Sequence, residues 1–210
     1  MTDIKQNTFE PITLIERPAK LALLISGGGR TLENLYSCIC ENTLEASIAL
    51  VIASRGDISG MARCERLGLP VEVIDYRLYS DRESYSKAHF ELIRSAGIHL
   101  VCLAGFLRFL HVPSDFEGRV INIHPALLPA FGGRGMYGGH VHRAVLAAGR
   151  RESGCSVHYV DNEYDHGEVI LRMRVPVSED DTPDSLAARV FEQECTAYPQ
   201  AIRMLQGLSP

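Results

Sequence analysis

Residues 21–26, LALLIS, form an unbroken apolar run that ends on three consecutive glycines. A run this short and this apolar suits a strand covered on both faces, and the glycines let the chain turn sharply into the next element. The stretch that follows, TLENLYSCICEN, places Leu32, Leu35, Cys38 and Ile39 at helical spacing, with Thr31 as the expected N-cap. The alternation then repeats. ASIALVIAS is the second expected strand, and ISGMARCERLGL the second helix, closed by Gly68. VEVID is the third strand. DRESYSKAHFELIRSAG reads as a long helix, with acids at its start, Arg94 near its end and Gly97 as its stop. HLVCLAG and GRVINIH are strands four and five. Strands alternating with helices imply an α/β protein with a Rossmann-like, mostly parallel sheet flanked by helices and joined by right-handed crossovers.

Beyond residue 124 the texture changes. ALLPAFGGRGMYGGH is rich in glycine and proline and is expected to be a long functional loop, followed by a short helix, HVHRAVLAAGR. GCSVHYV and EVILRMRVPV alternate as a C-terminal antiparallel strand pair joined by DNEYDHG, and SLAARVFEQECTAYPQAIRMLQG closes the chain as a helix. A chain of 210 residues suits one such domain, here expected over residues 20–206 behind a polar N-terminal arm, residues 1–19, that holds two prolines.

Composition narrows the function classes. No apolar run reaches the roughly 18–20 residues of a membrane span, and MTDIKQNTFEP lacks the apolar core of a signal peptide. A net charge of −5 argues against a nucleic-acid partner, because phosphate backbones are held by Lys and Arg patches. The six cysteines form no CxxC pair, so a zinc ribbon is not expected, and reduced thiols point to the cytoplasm. Small-molecule partners are expected, and a homodimer is left open.

Two places carry chemistry. The loop after the first strand, Gly27, Gly28, Gly29, Arg30 and Thr31, could present backbone N–H groups, a helix N-terminus and a guanidinium to a phosphate. It is neither a full GxGxxG fingerprint nor a P-loop ending in GK[ST], and a tight turn alone would also use these glycines. Asp75 lies beyond the roughly 20-residue spacing of a dinucleotide's ribose-binding acid. At the end of the fifth strand, VINIH sets Asn122 and His124 two apart, so both side chains point the same way. An amide and an imidazole aimed into one crevice can stabilise an oxyanion and assist proton transfer. His140 and His142 could join His124 in a metal cluster, but no acid lies at ligand spacing and no metal is expected. DNEYDHG holds Asp161, Glu163 and Asp165, which a surface hairpin can carry without a role.

With INIHPALLP preceded by LAGFLRFL and followed by SVHYVDNEYDHG, the sequence resembles the phosphoribosylglycinamide formyltransferases, folate-dependent enzymes of purine synthesis, over about residues 20–206. The resemblance implies formyl transfer from 10-formyltetrahydrofolate, a co-substrate, to the amine of glycinamide ribonucleotide; a formyltransferase acting on another phosphorylated or sugar amine stays open beside it. It implies Asn122, His124 and Asp165 as the catalytic set. The glycine loop would hold the substrate phosphate, and Glu194 the ribose hydroxyls. Leu107, Arg108 and Phe109 would offer backbone to the pterin ring, with Val160, Asp161 and the rest of the loop to Asp165 closing over it. Three departures stand out: GGGRT replaces the GNGSN or GSGSN of many relatives, AFGGRGMYGGHVH is longer than the shortest versions, and His166 stands where glycine is frequent.

Overall fold

The apolar run becomes β1 (Ala19–Ile25), every residue of which is fully buried except Lys20. The computed structural model describes residues 15–208. The other strands are β2 (Ala46–Ala53), β3 (Val71–Val73), β4 (Leu100–Leu103), β5 (Val120–His124), β6 (Glu152–Tyr159) and β7 (Val169–Pro176). They form one sheet in the order β3-β2-β1-β4-β5-β6-β7, parallel through β5 and antiparallel for the last two pairings. The helices are α1 (Arg30–Cys40), α2 (Gly60–Arg66), α3 (Arg82–Ser95), α4 (Gly139–Ala147) and α5 (Pro183–Leu205).

Alternation along β1 feeds two cores. Leu21, Leu23 and Ile25 join Leu32 and Leu35 of α1, Cys64 of α2, Val141 of α4 and Val190 and Tyr198 of α5. Ala22 and Leu24 join Tyr85, Phe90 and Ile93 of α3 on the other face. Burial on both faces is why the parallel strands read as continuous apolar runs. The chain order also reverses direction beside β1, and the crevice at the carboxyl ends of β1 and β4 is where open α/β sheets take ligands.

Some local expectations differ from what forms. Thr31 is not the N-cap: the cap lies two residues earlier, at Gly29 with φ +70°, and no side chain caps the helix. A left-handed conformation there suits glycine and turns the chain directly into the helix. VEVID pairs over only three residues, because the Asp75 side chain accepts from the Arg77 N–H at 3.0 Å and starts a 3₁₀ turn over Tyr76–Leu78. Leu107, Arg108 and Phe109 lie past the end of β4, in the loop that follows it.

The 23-residue α5 starts with a capping box between Thr182 and Ser185 and continues through Pro199. Proline has no N–H for the carbonyl four residues back. That carbonyl, of Cys195, accepts instead from Asn34 Nδ2 of α1 at 2.8 Å, so the gap in one helix becomes its joint to another. Of the expected N-terminal arm, residues 1–14 lie outside the described residues; Ile15 is buried, and its N–H reaches the Leu205 carbonyl at 3.2 Å.

His89, fully buried in α3, sits edge-on to Tyr85 and to Phe106 with ring centroids 4.4 and 5.7 Å away. Its Nδ1–H reaches the Tyr85 carbonyl at 2.9 Å, and burial pushes its pKa down to about 4. The unfolded chain therefore takes up this proton first as pH falls from about 6.5, and stability drains away until the folded pKa is passed. The difference in unfolding free energy between the wild type and His89→Leu should change by about 3 kcal/mol between pH 7 and pH 4, read by urea titration at each pH. A constant difference would mean that His89 is not held neutral by the fold.

Candidate functional site

The carboxyl ends of β1, β4 and β5 open into a cleft of about 610 Å³. Of the residues singled out from sequence, Arg30, Thr31, Leu107, Arg108, Phe109, Asn122, His124, Val160, Asp161, Asp165 and Glu194 all line it. Gly27, Gly28 and Gly29 stand behind Arg30 and Thr31, on the side of α2.

Asn122 and His124 reach the cleft from β5, as their period-two spacing requires. His124 is almost fully buried, and its Nε2–H donates to the Phe131 carbonyl at 2.8 Å, so Nδ1 is the nitrogen left for other partners. Nδ1 faces Asp165 Oδ2 at 3.6 Å. The same carboxylate accepts the Gly133 N–H at 2.9 Å and lies 3.7 Å from His158 Nε2. Asp165 adopts φ +51°, a left-handed conformation that aspartate tolerates better than most residues.

His158 went unnoticed in the sequence. It lies opposite Asn122 in the β5–β6 ladder. Its Nδ1–H donates to the Tyr159 carbonyl at 2.8 Å, so Nε2 is the acceptor for Asn122 Nδ2 at 3.1 Å. Burial lowers the His158 pKa, which favours this neutral tautomer. The Asn122 amide is thereby oriented, with a second N–H free for a ligand oxygen. His142, weighed before only as a metal ligand, is a buried wall residue of the cleft whose Nδ1 has no protein partner. Burial and the neighbouring His124 lower its pKa. Among the described residues no group of three or more His, Cys, Asp or Glu is arranged to hold a metal.

The loop over residues 160–166 is tied in at several points. The Val160 N–H reaches the Val120 carbonyl at 2.8 Å, and the Asn162 side chain bridges both backbone groups of Val112, at 2.8 and 3.3 Å. Tyr164 packs on Phe109 with ring centroids 5.1 Å apart, which ties the loops on the two sides of the cleft together. His166 turns back on its own loop, with Nδ1 at 2.8 Å from Asp161 Oδ2, and that carboxylate raises its pKa.

At the other end, Arg30 Cζ lies over the Phe191 ring, 3.6 Å from its centroid. Phe191 and Glu194 are three apart on α5 and both line the cleft. Burial pushes the Glu194 pKa up to about 7, with the Arg30 cation working against that rise. Helical spacing from Glu194 points to Phe191; the approach of α5 to the β1 loop is not written in either segment. The cleft therefore joins an amide, an imidazole and a carboxylate to a guanidinium and an uncapped helix N-terminus.

The family described as formyl transferase matches residues 19–202. The trifunctional purine biosynthetic protein adenosine-3 of Gallus gallus is 39% identical over 188 residues, covering 89% of this chain and 18% of that protein. The chain thus spans less than a fifth of that relative's length. A chloroplastic phosphoribosylglycinamide formyltransferase of Arabidopsis thaliana is 35% identical over 205 residues, covering 96% of this chain and 68% of the relative. The crystal structure of glycinamide ribonucleotide transformylase 1 from Symbiobacterium toebii aligns with a TM-score of 0.84 at 36% identity, over 90% of this chain and 88% of that one.

A carbon-13-detected NMR titration should give Glu194 a midpoint near 7. Arg30→Ala removes the opposing cation and should move the midpoint further up. A midpoint near that of a free carboxyl, in either protein, would contradict the burial argument.

Proposed function

The chain belongs to the formyl transferase family, and from that premise we propose that it moves a formyl group from 10-formyltetrahydrofolate to the amine of glycinamide ribonucleotide, in purine synthesis. The observation that carries the reading is the meeting of Asn122, His124 and Asp165 in one cleft with Arg30 and Thr31. The names of the relatives from Arabidopsis thaliana and Symbiobacterium toebii support the choice of acceptor. A cytosolic setting belongs to the same proposal, on thiol usage alone.

The donor supplies an activated one-carbon carbonyl. We assign its ring system to the part of the cleft lined by Leu103, Phe106–Leu110, Val120 and Val160. As the amine nitrogen bonds to the formyl carbon, negative charge gathers on the formyl oxygen. The free N–H of Asn122 and a proton on His124 Nδ1 are the donors that meet it. The carbon then releases the folate nitrogen. Asp165, whose Oδ2 faces His124 Nδ1 at 3.6 Å, carries the amine's proton, through water, toward the departing nitrogen. The acceptor's phosphate is held at the N-terminus of α1 beside Arg30, and Glu194 takes its hydroxyls.

Purified protein should release tetrahydrofolate from 10-formyltetrahydrofolate only when glycinamide ribonucleotide is present, followed spectrophotometrically. Release without any amine would make the chain a hydrolase, and release only with a different phosphorylated or sugar amine would reassign the acceptor. Asn122→Ala, His124→Ala and Asp165→Ala should each lower kcat by about 10²–10³-fold with smaller changes in KM. Arg30→Ala should raise the KM of the phosphorylated substrate about tenfold, the size of a lost charge-assisted hydrogen bond, and leave the folate KM nearly unchanged.

A further inference from the structure

Arg63, on α2, touches nothing in the cleft but controls the loop behind it. Its Nη1–H donates to the Gly28 carbonyl, and its Nε lies 2.7 Å from Glu33 Oε2 of α1. Arg66 pairs with the other oxygen of Glu33. One turn back, the Gly60 N–H donates to the Gly27 carbonyl at 3.0 Å. The approach is so close that a Cβ on residue 60 would lie 2.6 Å from that carbonyl oxygen and 3.0 Å from Ile25 Cδ1. Two successive carbonyls of the glycine loop are thus turned toward α2 and held there.

A trans peptide unit points its C=O and the next N–H in opposite directions. The units joining Gly27 to Gly28 and Gly28 to Gly29 are trans. Fixing the two carbonyls on α2 therefore sends the N–H groups of Gly28 and Gly29 the other way. The loop meets the cleft wall one residue earlier: Ser26 N–H reaches the carbonyl of cleft-lining Gly105 at 3.1 Å, and Ser26 Oγ accepts the N–H of cleft-lining Leu107 at 3.0 Å. The first turn of α1, which no side chain caps, follows directly, with Arg30 and Thr31 lining the cleft.

We propose that Arg63 is a positioning residue that clamps the glycine loop so that its amides form a preset cradle for the substrate's phosphate. This rests on the reading above that the acceptor carries its phosphate at this loop. Arg63 acts through peptide orientation: it does not line the cleft, whereas Arg30 is the guanidinium that does. The clamp also accounts for what GGGRT offers in place of the Asn and Ser of GNGSN: main-chain amides fixed from behind, beside the Arg30 guanidinium.

The test compares the phosphorylated amine with its dephosphorylated form as acceptors, for wild type, Arg63→Ala and Arg63→Lys, with thermal unfolding of each protein alongside. Arg63→Ala should raise the KM of the phosphorylated amine about tenfold, with kcat and the folate KM within about twofold. Its kcat/KM on the dephosphorylated amine should match that of the wild type. Arg63→Lys keeps a donor but cannot span Gly28 and Glu33 together, so it should recover part of the loss; if Arg63→Ala folds poorly, this variant decides alone. Equal losses on both acceptors would mean a general structural defect and overturn the clamp. A wild type that prefers the phosphorylated amine, with both variants unaffected, would overturn it too and leave the phosphate reading intact. A wild type indifferent to the phosphate would overturn that reading and the clamp with it.

Discussion

Antiparallel pairing of β5 with β6 sets Asn122 across from His158 and His124 across from Ser156. Residues directly opposite on such strands share a face at close range, whereas a one-residue slip would send both members of the Asn–His pair to the other side of the sheet. The pairing also governs the chain that leaves β5. Ser156 Oγ donates to the Ala126 carbonyl at 2.7 Å and accepts the Leu128 N–H at 3.0 Å, so a residue of β6 holds the turn that leads to Phe131. Phe131 returns the favour to β5, because its carbonyl fixes the His124 ring. The proposed chemistry thus depends on one strand register more than on any single side chain.

The second support is α5, which spans the face of the sheet opposite α3. The buried Tyr198 hydroxyl lies 3.1 Å from both the Leu103 and the Ile121 carbonyls, so it sits between β4 and β5 just short of the cleft. One turn earlier, the carbonyl freed by Pro199 holds α1 through Asn34. These joints fix the rotation of α5 about its axis, and that rotation is what presents Phe191 and Glu194 to Arg30.

Much of this was legible from residues alone, for a physical reason. Parallel strands covered on both faces must be nearly continuous apolar runs, so LALLIS, ASIALVIAS and HLVCLAG announced the sheet. Asn122 and His124 were legible because period-two alternation at a strand end is a local property. Asp165 was not: only resemblance separated it from Asp161 and Glu163 in the same loop. His158 and Phe191 were missed because their roles arise from pairings 36 residues apart and further, between segments whose own patterns say only strand and helix. Thr31 was misplaced as a cap because a positive-φ glycine can open a helix with no side-chain signal at all. Arg63 carried no local mark either, since its partners, Gly28 and Glu33, become neighbours only when α2 packs against the β1 loop.

A carboxyl lifted by burial to about 7 makes Glu194 a proton reservoir within the proposed binding cleft. At neutral pH the population is divided between acid and anion, and a ligand presenting hydroxyl donors to this side chain stabilises the anion and sheds the proton into solution. The heat of association then contains a share that belongs to the buffer: the same binding event measured in Tris and in phosphate differs by the ionisation enthalpy of each multiplied by the fraction of a proton released. Affinity at this cleft is accordingly a joint property of ligand and hydrogen-ion activity, and a calorimetric trace recorded in a single buffer mixes the two.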